Sequence, residues 1–84
     1  MSQRMDISDH LDATGLLCPL PVLKLRKRIG ALAPGQYIEM LADDPAAVID
    51  VPHFCAEAGH ELVSTATRNG AQVYVVRKAG QGAA

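Results

Sequence analysis

Gly15-Leu16-Leu17-Cys18-Pro19-Leu20-Pro21 is the stretch on which the reading of this 84-residue chain turns. A proline disfavours the α region for the residue before it, so Cys18 is expected to be extended rather than helical. Pro19 suits the first helical position, where its fixed φ is already right and no N–H is needed. Pro21 still falls among the first-turn positions whose N–H groups have no intrahelical partner. Cys18 is thereby placed at the N-cap, its sulfur facing the Leu20 N–H and the positive end of the helix dipole. A thiol in that place is expected to be acidic, because a helix N-terminus lowers a cysteine pKa from about 8.5 to roughly 3.5–7.5, and the thiolate is the species that attacks. A cysteine also serves as a small buried hydrophobe. Gly15 before it and two prolines after it favour an exposed, rigidly presented sulfur instead.

Outward from that stretch, Pro19 to about Ala31 reads as a helix, with Val22, Leu25, Ile29 and Leu32 forming one core-facing stripe. Lys24, Lys27 and Arg28 point away from the stripe and Arg26 lies near its edge. These cations make either a solvated face, favoured toward the helix C-terminus, or a docking face beside Cys18. Gly30 and the Pro34-Gly35 turn end the helix. Gln36 to Ala42 alternates with apolar residues on both sides, as a central strand does. Asp43-Asp44-Pro45 is a helix start with Asp44 as cap. Pro52 argues against one unbroken helix, so a short turn at Pro45 to Ile49 and a separate helix from about Val51 to Ala58, capped by Asp50, are expected. Cys55 falls on the apolar stripe of that helix and reads as core, and Gly59 supplies the left-handed residue that ends it.

Two β-rich runs close the chain, Glu61 to Thr67 and Gln72 to Arg77, with Asn69-Gly70 between them as a hairpin signal needing positive φ at both positions. Upstream, Ile7 to Ala13 reads as a weak strand with Ile7, Leu11 and Ala13 on one side and Asp9 interrupting it. The order is β-α-β-α-β-β. Such a chain makes an α/β two-layer sandwich, a four-stranded mixed sheet with both helices on one face. Residues 1–84 are read as one domain with an ordered core of about 7–78.

The composition is globular, with 49% apolar and 20% charged residues and a net charge of −1, which gives no overall pull toward nucleic acid or membrane. No apolar run is long enough to span a bilayer and no signal-peptide pattern opens the chain, so the cytoplasm is the expected compartment, where thiols stay reduced. A permanent Cys18–Cys55 bridge is not expected there. His10, His53 and His60 with Cys55 match no common zinc spacing, so neither metal nor cofactor is expected.

The Cys-Pro-x-Pro stretch at Cys18 to Pro21 resembles the signature of the TusA/SirA-like sulfur-carrier family. Ala42-Asp43-Asp44-Pro45-Ala46 resembles it too, as does the run from Asp50-Val51-Pro52 through Phe54-Cys55 to Gly59-His60-Glu61-Leu62. The likeness extends from about Leu11 to Lys78. Leu20 stands between the prolines where the familiar form of the motif has glutamate. The resemblance implies a mixed-sheet fold shared with the C-terminal domain of a translation initiation factor. It implies a sulfurtransferase in which Cys18 takes a persulfide sulfur from a donor such as a cysteine desulfurase and hands it to a downstream acceptor protein. That relay would serve tRNA thiolation, the molybdenum cofactor or sulfur metabolism. Gly15, Pro19 and Pro21 would support the Cys18 mount, and Lys24, Lys27 and Arg28 would form the docking face. Two other classes compete. One is a thiol redox protein using Cys18 and Cys55, weakened by the place of Cys55 on a core stripe. The other is a non-catalytic module binding RNA or protein through the basic helix, weakened by one Phe, two Tyr and no Trp for stacking.

Overall fold

A β-strand, helix and second parallel strand start the fold of the computed structural model, which describes residues 6–79. Strand β1 (Ile7–Asp12) leads through the Cys18 loop into helix α1 (Leu20–Gly30), and β2 (Tyr37–Ala42) returns beside β1. Helix α2 (Ala47–Ala58) then crosses over to β3 (Glu61–Arg68), and a tight turn returns the chain as β4 (Ala71–Arg77). The sheet order is β1-β2-β4-β3, with β1 and β2 parallel and β4 antiparallel to both of its neighbours. Both helices pack on one face, as the element order implied.

The core lies between that face and the helices. Leu25 and Ile29 of α1, Val51, Phe54 and Cys55 of α2, and Ile38, Met40, Tyr74 and Val76 of the central strands form one buried cluster. Full burial of each such side chain contributes roughly 1.5–3 kcal/mol, which drives the helices down onto the sheet. Register locks the pattern: Met40 opposes Tyr74 and Ile38 opposes Val76, so both pairs reach the same face. Asn69 (φ 52°) and Gly70 (φ 85°) both take positive φ between β3 and β4, as their pairing predicts.

Two local expectations change, and a third gains its physical cause. Helix α1 begins at Leu20, with Pro19 in the cap position, because the Leu20 N–H is already bonded to the Leu17 carbonyl at 2.8 Å. The two segments expected around Pro52 are one helix. Pro52 falls in its second turn, where only the Val48 carbonyl loses a partner, and Val48 is exposed to water. The expected turn survives as i→i+3 bonds, from Ala47 N–H to Asp44, Val48 N–H to Pro45 and Ile49 N–H to Ala46. Asp9 interrupts β1 for a reason: the Arg28 guanidinium holds its two oxygens in a fork, both contacts at 2.8 Å. That pair ties α1 to the edge strand, and the Arg28 hydrogen bonds hold the Asp9 carboxyl below its usual range.

Candidate functional site

Gly15 at φ +83° turns the chain out of β1 into the Cys18 loop. The loop is pinned to the β2–α2 connection, where Asp43 accepts the Gly15 N–H at 3.0 Å and Asp44 accepts the Cys18 N–H. Asp44 also accepts the Ala46 N–H at 3.1 Å, so one carboxylate organises both the thiol loop and the entry to α2. The Cys18–Pro19 peptide is cis. Pro21 is buried in the first turn of α1.

Cys18 is exposed and its sulfur lies just outside the helix rather than at its cap. With the Leu20 N–H occupied, the thiol turns to the neighbouring helix and donates to Asp50 Oδ2 at 3.0 Å. The expected acidity is therefore reversed. The hydrogen bond to Asp50, partial desolvation and the negative charges of Asp50 and Asp44 push the Cys18 thiol above its ordinary value. Cys55 is 2% exposed, and burial pushes its thiol up to about 11, which agrees with its reading as core.

Beside the sulfur, a groove of about 250 Å³ opens between α1 and α2. Cys18 and Pro19 close one end of it, Val22 and Phe54 give it apolar walls, and Arg26, Asp50, His53 and Glu57 supply polar groups. Arg26 lies over the Phe54 ring, 5.6 Å from its centre. His53 pairs with Glu57 at 3.4 Å. Large apolar side chains are left in solvent nearby in the chain: Leu17 (69% exposed), Leu20, Leu23, Val48 and Ile49 (73%). They come from the thiol loop and the first turns of both helices, which converge here.

Asp44 and Asp50 carried a signal in the sequence, but it read as helix capping, and nothing local says that one holds the Cys18 N–H and the other its sulfur. Of the histidines, His10 bonds Glu39 and His60 accepts the Ala79 N–H, so neither attends Cys18; His53 is the one in the groove. Lys24, Lys27 and Arg28 do share one surface, away from the groove. Arg28 is spent largely on Asp9, which leaves Lys24 and Lys27 as the exposed cations there. Among the described residues no group of three or more His, Cys, Asp or Glu side chains is arranged to hold a metal ion.

Comparison with known proteins identifies the family. The family model described as sulfurtransferase TusA matches residues 9–78. The sulfur carrier protein TusA of Pseudomonas paraeruginosa is 46% identical over 68 residues, covering 81% of this chain and 86% of the relative. The protein of the same name from Pseudomonas aeruginosa matches equally well. Among solved structures, a SirA-like protein from Desulfitobacterium hafniense superposes with a TM-score of 0.75 at 20% identity, covering 84% of this chain and 97% of that one. That likeness is one of fold.

Proposed function

The chain belongs to the TusA sulfurtransferase family, and we propose from that premise that Cys18 is the residue on which it carries sulfur, as a persulfide. The observation that supports this most is the contrast between its two thiols. Cys18 is exposed at the head of a groove, whereas Cys55 is sealed in the core. In uptake, the Cys18 sulfur attacks the terminal sulfur of a donor persulfide R–S–SH, such as that of a cysteine desulfurase. The donor's S–S bond breaks, R–S⁻ leaves and takes up the proton that Cys18 gives up, and Cys18–S–SH forms. No oxidant is consumed. The sulfur then passes to a downstream acceptor by the same exchange. The cytoplasm suits this chemistry, because exposed thiols stay reduced there.

A redox reading needs Cys55 as the resolving thiolate. Burial disfavours that thiolate strongly and offers Cys18 no path to it. The test is to incubate the protein with a cysteine desulfurase and cysteine, and record intact mass before and after reduction. A reducible gain of one sulfur on Cys18 is the expected result. No gain, or a gain on Cys55, overturns the assignment.

Lys24 and Lys27 are proposed to steer the donor from the solvent side of α1. Reversing both to Glu should slow loading several-fold at low salt, since rim charges act mainly on association rate. The deficit should narrow as salt is added. Arg28 is left intact in this variant because it anchors β1. Equal loading rates across the salt series would show that the partner approaches elsewhere.

A further inference from the structure

The hydrogen bond from Cys18 Sγ to Asp50 Oδ2 at 3.0 Å fixes a proton on the sulfur, because a carboxylate offers only acceptors and a thiolate cannot donate. Asp44 adds a second negative charge through the Cys18 backbone N–H. Neither carboxylate is in an ion pair among the described residues, whereas Asp9, Glu39, Glu57 and Glu61 each are. The other charged groups of the groove are directed elsewhere. Arg26 lies over Phe54, and His53 and Glu57 pair with each other. The free protein thus presents a thiol beside unneutralised negative charge, with exposed Leu17, Leu20 and Ile49 adjacent in the chain to Cys18 or Asp50. A partner that covers the thiol and these apolar side chains removes water from Asp50, and a carboxylate desolvated without a counter-charge is strongly unfavourable.

We propose that Asp50 is a positioning residue that keeps Cys18 as its weakly nucleophilic thiol in the free protein, and that a sulfur donor releases it by docking a cationic side chain against Asp50. The proposal rests on the reading of Cys18 as the accepting thiol. In the docked state Asp50 turns to the cation and the sulfur loses its acceptor. The exchange then proceeds as Cys18–SH + R–S–SH → Cys18–S–SH + R–SH, with the proton leaving Cys18 for the departing thiolate. The free carrier is shielded from oxidants and stray electrophiles, which react with the thiolate.

Alkylation of the full-length protein by iodoacetamide at neutral pH, followed by intact mass, tests the restraint without any sulfur donor. It therefore fails or succeeds independently of the carrier reading. Asp50→Asn keeps the shape and removes the charge, and should be alkylated about fivefold faster, the factor that one unit charge roughly 4 Å away exerts in water. Its rate–pH profile should move to lower pH by the same factor. A variant rate at or below the parent's overturns the restraint. In the parent, added salt should raise the alkylation rate by screening Asp50, and Asp50→Asn should respond less. A parent rate indifferent to salt counts against the proposal equally. For the cation, loading by a cysteine desulfurase is compared with loading by a small neutral persulfide. The ratio of the two rates should fall in Asp50→Asn, because only the protein donor brings a counter-charge. An unchanged ratio overturns the docking half.

Discussion

Cys18→Ser is expected to abolish sulfur loading outright while leaving the melting curve where it was. A serine oxygen cannot hold a sulfane sulfur reversibly, so the loss should be complete rather than partial. The fold should not notice, because Cys18 is exposed and lies outside the core cluster. A serine hydroxyl can also donate to Asp50 as the thiol does. Cys55→Ser should behave in the opposite way. It places a hydroxyl in the buried core cluster, at a cost of about 1–3 kcal/mol if unpaired. Loading by the folded fraction should survive. Intact mass after desulfurase treatment, read alongside thermal melts of both variants, checks the pair. Persulfide loading retained by Cys18→Ser would remove the basis of the assignment.

The elements legible in the sequence are those whose signals are local. Asn69-Gly70 has one conformational reading and takes it. The Leu25 and Ile29 spacing names the buried side of α1, and Gly59 ends α2 with a left-handed φ of 82°. Cys18 itself was legible because prolines and a glycine fence it into a turn. What was not legible depends on distant partners. The capping geometry drawn for Cys18 was locally sound, but the Leu17 carbonyl claimed the Leu20 N–H. The sulfur then met Asp50, 32 residues away. That single long-range contact reverses the expected shift in thiol acidity. Pro52 misled for the opposite reason: a rule that holds deep inside helices lost force within the second turn, next to solvent. Arg28 looked like Lys24 and Lys27, a cation facing away from the core, until β1 brought Asp9 beside it.

Leu25→Ala and Leu23→Ala, two residues apart on one helix, should separate stability from function. Leu25 is 0% exposed and sits in the cluster that binds α1 to the sheet. Truncating such a side chain removes its transfer free energy and leaves a cavity, together about 2–5 kcal/mol. A domain of this size has roughly 5–15 kcal/mol in all, so the melting temperature should fall on the order of 10–30 °C. Well below that temperature the folded fraction still presents Cys18 from the loop pinned by Asp43 and Asp44, so loading should continue at nearly the parent's rate. Leu23 is 48% exposed, and its N–H bonds the Pro19 carbonyl at 3.1 Å, one turn from the thiol. Its truncation should change stability by only about 0.5 kcal/mol. If the exposed apolar side chains of the first turns are where the donor seats itself, Leu23→Ala should instead slow loading several-fold, with no change in alkylation of the free thiol. Melting curves and loading rates measured on both variants would expose an error in either direction. A stable Leu25→Ala would mean the core lies elsewhere, and a Leu23→Ala that loads like the parent would mean that Leu23 takes no part in docking.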